Sequence, residues 1–389
     1  MAEITISALA ENIFAAKDRI AKEPTGFLQS VIVNSDASDG VSINGTVTSF
    51  VTAQPTLNTS YTPSMTIPEG DAQTVGVKTM QIAQTGNVKI PLTGELARQL
   101  ENTAGRDRVV TDMFAQAFRK IRNGIESHVG SVIAAGASRG YGTAGTSPFA
   151  TDHKPINYAR KILIDNGAPD DGENSLVIDT LAGTDLRNIS NLYKVNEGGS
   201  TDLLRRGTLL DISGIMIKES SGVAATTAGA MTGALFNGAG AVGDTTITFD
   251  TGTVNTTGIV AGDIVSITGA TGGAQKYVVA TGTTSTSGTF TIAAPGLRAV
   301  VADNTAITVS ATSTRNVLFN RNAVELVMRP PAQPYGKDAA VDRMTFVDEG
   351  TGLVFEVAHY VGYGKAMFDI TTFYQAKVWK PEFCAVLLG

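Results

Sequence analysis

Residues 106–135 read RDRVVTDMFAQAFRKIRNGIESHVGSVIAA, and the apolar spacing of this stretch sets the frame for the rest of the chain. Val110, Phe114, Ala117, Phe118, Ile121, Ile125, Val129, Val132 and Ile133 recur at three- and four-residue intervals, one face of an α-helix. Asp112, Arg119, Arg122 and Glu126 read as lying mostly off that stripe. About thirty residues at ~1.5 Å each give roughly 45 Å, more than twice the mean helix length. Gly124 and Gly130 mark the places where a bend is expected.

Upstream, residues 45–92 alternate as extended chain. Val47, Phe50 and Val51, then Met65 and Ile67, lead to a turn at Pro68-Glu69-Gly70-Asp71. Val75, Val77, Met80 and Ile82 follow, with a second turn expected around Gly86-Asn87. Read as one hairpin, each arm holds about 20 residues and spans on the order of 60 Å. A two-stranded ribbon of that length is not stable alone and needs a surface beneath it. Further upstream, Leu9, Ile13, Ala16 and Ile20 space as an amphipathic helix over residues 5–23, ended by Pro24. That helix either packs on its own domain or serves as an arm reaching another chain.

Downstream, helices and strands alternate over residues 155–220. The spacing predicts a helix over 156–166, a strand over 175–179, a helix over 184–191 started by Thr184 or Asp185, and a strand over 209–218 broken near Gly214. The composition then changes. Residues 221–314 hold six charges (Asp244, Asp250, Asp263, Lys276, Arg298 and Asp303), while the other 295 residues hold 60 of the 66. Twenty-two threonines and fifteen glycines fall in the same stretch. Short β-type runs at 245–249, 264–268, 275–279, 289–292 and 306–309 alternate with Gly, Asn and Asp turns, the pattern of a small antiparallel barrel or sandwich. Its flanks resume mixed character, with strands predicted at 316–319, 323–328, 354–360 and 377–388, so the β segment reads as an insertion in an α+β chain.

Composition narrows the function. The 389 residues carry 42 glycines and a net charge of −6, which argues against a general binder of nucleic acid or anionic membrane. Cys384 is the one cysteine, so no intrachain disulfide forms. No basic segment followed by an apolar run opens the sequence, so no signal peptide is expected, and no apolar run approaches ~18 residues.

Motifs for chemistry are few. Gly238-Ala-Gly240-Ala-Val-Gly243 fits a dinucleotide fingerprint, but β-type residues follow it where a helix must open, so it reads as a β connection. His128, His153 and His359 have no metal-ligand spacing, and His128 reads as a packed histidine. Cys384, inside an apolar strand, reads as a buried hydrophobe. Asp170-Asp171-Gly172-Glu173 reads as a solvated turn. No catalytic residue, cofactor or metal is expected.

The order of parts, with LLDISGIMIKESSG (209–222) leading into the β segment, IVAGDIVSITG (259–269) within it, NVLFNRNAVELV (316–327) leading out and KPEFCAV (380–386) closing the chain, resembles the major capsid proteins of tailed phages. It is similar in particular to the coat protein of short-tailed Salmonella phages, with a shorter and less charged insertion. The resemblance implies an α+β Hong Kong 97-type phage capsid fold. Its parts would be an N-terminal arm (1–45), an E-loop β hairpin (46–93), a P-domain with the spine helix (94–159), an A-domain (160–222 and 314–375), an inserted all-β accessory barrel (223–313) and a C-terminal strand returning to the P-domain (376–389). It implies a non-enzymatic, self-assembling shell of hexamers and pentamers, built in the host bacterial cytoplasm with a scaffolding protein and a portal protein, enclosing double-stranded DNA. Leu9, Ile13 and Ile20 on the arm, with Glu69, Asp71 and Lys78 on the hairpin, are the expected intersubunit contacts. The rival readings are an encapsulin-like compartment, an exported β-rich adhesin, and an enzyme holding a nucleotide at the 238–243 loop.

Overall fold

The computed structural model describes residues 23–34, 44–52, 62–67, 75–101, 106–194, 211–269, 274–333, 338–348 and 351–389. The helix read first runs unbroken as Arg106–Gly136, 31 residues, through both glycines. Its apolar stripe lies on a six-stranded sheet in the order Ile32–Asn34, Val324–Arg329, Lys365–Val378, Val354–Gly362, Ala340–Val347, with Gln84–Thr93 paired to the other flank of Lys365–Val378. Ring contacts fix the crossing: Phe114 meets Phe368 edge-on at 5.2 Å and Phe118 meets Phe355 at 5.3 Å. Phe114, Ile125, Val129 and Ile133 are essentially solvent-free, and burying each such side chain contributes about 1.5–3 kcal/mol.

Several expectations are corrected here. Glu126 is not off the stripe but fully buried. The hairpin pairs Thr46–Thr52 with Val75–Gln81, seven residues on each side, and residues 84–93 do not belong to it. They form a ten-residue strand of the large sheet, and Gly86 and Asn87 sit inside that strand opposite Thr372 and Thr371 where a turn was expected. The turn at Pro68–Asp71 and the helix over 5–23 lie outside the described residues. The helix expected from Thr184 starts four residues earlier, as Thr180–Asn188. Asp179 caps it through the amides of Leu181 and Ala182, a better start signal than an internal threonine. The strand expected over 377–388 is two elements. The fourteen-residue strand Lys365–Val378 ends at Trp379, and Cys384–Leu388 begins after a short turn at Pro381–Phe383.

The low-charge stretch folds as a closed six-stranded barrel in the order Ile264–Thr268, Ala306–Val309, Ala234–Phe236, Thr246–Asp250, Gly288–Ile292, Ala274–Thr281, the last strand pairing back to the first. Ile247, Phe249, Phe290, Ile292, Ile267 and Val279 fill it, while Thr246, Thr248 and Thr289 face out. The barrel is continuous with the rest of the molecule. Lys276 and Tyr277 pair with Gly140 and Arg139, and that short strand continues through Cys384–Leu388 and Ser313–Asn320 to Asn174–Ile178 and Met216–Glu219. Ile264 and Val278 belong to the same core as the long helix. Asn174–Ile178 and Cys384–Leu388 are buried at every residue, on both faces, which explains why Cys384–Leu388 reads as an unbroken apolar run and not as alternation.

Candidate assembly surfaces

Three places show how the chain holds the segments that leave its core. The first is Glu126. Its carboxylate accepts hydrogen bonds from the amides of Phe27 (2.8 Å) and Leu28 (2.9 Å) and from the Ser220 hydroxyl (2.5 Å). One side chain therefore joins the long helix, the segment arriving from the N-terminal side and the turn that leads to the barrel. Burial raises its pKa, and the three hydrogen bonds and Arg122 oppose that rise. Arg122 bonds Thr25 (2.5 Å) and Arg119 pairs with Glu23 at the edge of the same strap. Gly130 permits the approach: a Cβ there would stand 2.7 Å from the Phe27 ring. In sequence the clue to Glu126 was its place between Ile125 and Val129.

The second is the base of the hairpin. Met80 and Ile82 pack with Val327 and Trp379 in a small cluster apart from the main core. Lys78 is half-buried and its ammonium donates to the Trp379 carbonyl, while Lys377 donates to the Thr79 carbonyl and lies over the Trp379 ring at 5.1 Å. Trp379 in turn donates to Glu325 at 2.7 Å. Lys78 thus secures the hairpin within its own chain. Beyond the paired residues, Met65 and Ile67 are fully or almost fully exposed (104% and 90%). Leu9, Ile13, Ile20, Glu69 and Asp71 lie outside the described residues.

The third is the seam between barrel and main domain. Asp263 is fully buried and accepts from Val260 (2.8 Å) and Gly229 (3.0 Å). Burial raises its pKa, opposed by those bonds and by Arg315. Arg315, itself buried, donates to the Gly262 carbonyl at 3.1 Å. Sequence spacing gave no sign of this pair, since 52 residues separate the two (315 − 263).

The residues considered for chemistry are spread across the molecule. His128 packs edge-on against Tyr374 at 5.4 Å, and burial lowers its pKa. His359 stacks on Phe368 at 4.6 Å, and His153 stands at the start of helix Lys154–Asp165. Cys384 is fully buried, which pushes its thiol well above the ordinary range. The 238–243 loop joins two barrel strands, and a Cβ at Gly240 would meet the Phe236 ring at 2.7 Å, so the backbone there packs on the barrel's own core. Among the described residues no cluster of three His, Cys, Asp or Glu is placed to hold a metal, and no helix is long and apolar enough to cross a membrane.

No sequence-family model matches the chain, and no curated protein matches it. Solved structures do. A chain of Mycobacterium phage Che8 aligns with a TM-score of 0.51 at 13% identity, over 94% of this chain and 92% of that one. A chain from the mature capsid of bacteriophage PhiM1 aligns with a TM-score of 0.50 at 10% identity, over 95% and 88%. At such identities the likeness is one of fold, and it runs nearly end to end. The chain has the α+β Hong Kong 97-type capsid fold, and it carries a six-stranded barrel within that fold.

Proposed function

We propose that this protein is the major capsid protein of a tailed double-stranded DNA phage, self-assembling into an icosahedral shell without catalysis. The observation that carries the reading is the near-full-length likeness to a chain of a mature phage capsid, joined to the apolar side chains of Met65, Ile67 and Val77, which the chain leaves exposed. A shell subunit must touch several neighbours, so it gains from surfaces that complete their burial only against another copy.

In this reading the chain is of the type of the coat proteins of short-tailed Salmonella phages, with their inserted barrel. Residues 1–45 form the arm, the 46–81 ribbon lies on a neighbour, the long helix is the spine, and the barrel serves as the accessory domain. Leu9, Ile13, Ile20, Glu69 and Asp71 make contacts between copies, whereas Lys78 positions the hairpin from its base. Hexamers and pentamers form around a scaffolding protein and a portal protein, and the DNA is enclosed without sequence-specific binding.

The test is to replace residues 53–74 by a short glycine-serine linker, leaving the paired residues, Met80 and Ile82 in place. The expected product is a folded monomer that makes no particles by sedimentation and negative-stain microscopy. Normal shells from that variant, or an intact chain that never associates even with its assembly partners, would refute the proposal.

A further inference from the structure

A cleft of about 650 Å³ opens where the barrel meets helix Lys154–Asp165, walled by Tyr141, Tyr158, Lys161, Asp165, Gln275 and Lys276, with Arg139 at its floor. Arg139 is almost fully buried, its Nε has no hydrogen-bond partner, and the nearest carboxylate, on Asp165, is 3.7 Å away. Burial and the like charge of Arg298 both press its pKa down. Asp165 is also shared with Lys161 at 2.9 Å. Asp152 on the rim is matched by Lys154 at 2.7 Å. The remaining balance is three cations (Arg139, Lys161 and Lys276) against the one carboxylate of Asp165, in a chain whose net charge is −6. A partly enclosed, under-neutralised basic cleft attracts an anionic group.

The same helix carries a candidate occupant on its far flank. At ~100° per residue, Tyr158, Lys161 and Asp165 share one side, and Arg160 points roughly the opposite way. Arg160 bonds Asp170 at 2.7 Å, the first acid of the exposed turn Asp170-Asp171-Gly172-Glu173. With Glu173 paired to Arg321 at 3.7 Å, the turn holds three carboxylates against two cations, so one element stands between a basic cleft and a turn with acid in excess, and a head-to-tail placement of two copies is the one that would bring the turn of one to the cleft of the next. Such a heterologous contact repeats, and it makes a ring where the rotation between successive copies closes.

We propose that the acidic turn at residues 170–173 of one copy docks in the Arg139–Lys276 cleft of its neighbour, and that this contact orders subunits around the capsomer ring. The inference rests on the shell reading and adds to it which charged surfaces meet.

The test is a charge swap. Lys161 is exposed and Lys276 half-buried on the cleft wall, and the two can be reversed together (Lys161→Glu with Lys276→Glu). Asp170 and Glu173 can be reversed in a second variant (Asp170→Lys with Glu173→Lys), sparing Asp171, which accepts from Asn320. Circular dichroism establishes that each variant is folded. Each alone should lose about tenfold or more of its particle yield, because like charges then face each other. Mixing the two should restore assembly, with even-numbered rings favoured in native mass spectrometry, since only alternating copies match. Either variant assembling alone at the wild-type yield overturns the inference, as does a mixture of two folded variants that stays monomeric. A wild-type chain that never assembles overturns the shell reading itself and this contact with it.

Discussion

The Glu126 carboxylate faces three donors, the amides of Phe27 and Leu28 and the Ser220 hydroxyl. Glu126→Gln turns one acceptor oxygen into an amide donor aimed at another donor, so at neutral pH it should cost about 1–3 kcal/mol by denaturant unfolding. The pH dependence has a definite sign. Burial raises the folded-state pKa above the ordinary 4.5, so the folded chain binds this proton more readily than the unfolded one. The penalty for holding Glu126 ionised is therefore present above the folded pKa and is relieved as pH falls through it towards the unfolded value. The wild type's advantage over Glu126→Gln should widen on acidification. An advantage that shrinks over the same range would contradict the account. Asp263 offers a matched case at the barrel seam: Asp263→Ala leaves the Gly229 and Val260 amides without their acceptor, and about 1–3 kcal/mol should be lost, with faster hydrogen exchange at those two amides.

The long helix contains two glycines with opposite surroundings. A Cβ at Gly124 meets nothing within 4 Å, whereas one at Gly130 meets the Phe27 ring at 2.7 Å and the Gly222 carbonyl at 3.2 Å. Gly124→Ala should stabilise by about 0.5–1 kcal/mol through helix propensity alone. Gly130→Ala should destabilise by about 1–3 kcal/mol, because the strap must move off the helix. Thermal melts of the two variants shifting in the same direction would refute this. The pair shows what was and was not legible at this scale. The helix, its stripe and the barrel strands followed from periodicity, since each has one face turned to a core. The same reading expected a bend at both glycines alike, because the partner that makes Gly130 necessary lies about a hundred residues away in sequence. The split of 46–93 into a hairpin and a sheet strand was hidden for a like reason. Gln84–Thr93 alternates like a hairpin arm, and only its partner Lys365–Val378 assigns it to the large sheet.

At the scale of the whole molecule, the change in composition near residue 221 located the barrel, but it suggested a body apart from the rest. The pairing of Tyr277 with Arg139 and the burial of Ile264 and Val278 in the main core make the barrel and the main domain one packed unit. Composition reports surface chemistry and strand content; it carries no record of which distant residues meet at a seam. The Glu126, Asp263 and Arg315 connections were equally invisible, because each joins residues distant in sequence. The physical consequence is cooperativity. Ile264→Ala removes side-chain volume from the main core, although its strand belongs to the barrel, and Ile267→Ala empties the barrel interior three residues later. Each should cost about 2–5 kcal/mol. If the two parts unfold together, both substitutions lower one shared calorimetric transition of the unassembled chain by similar amounts. If the barrel melted on its own, the scan would resolve two transitions, and Ile267→Ala would move only one of them. That second outcome would show that the shared sheet does not couple the barrel to the capsid fold around it.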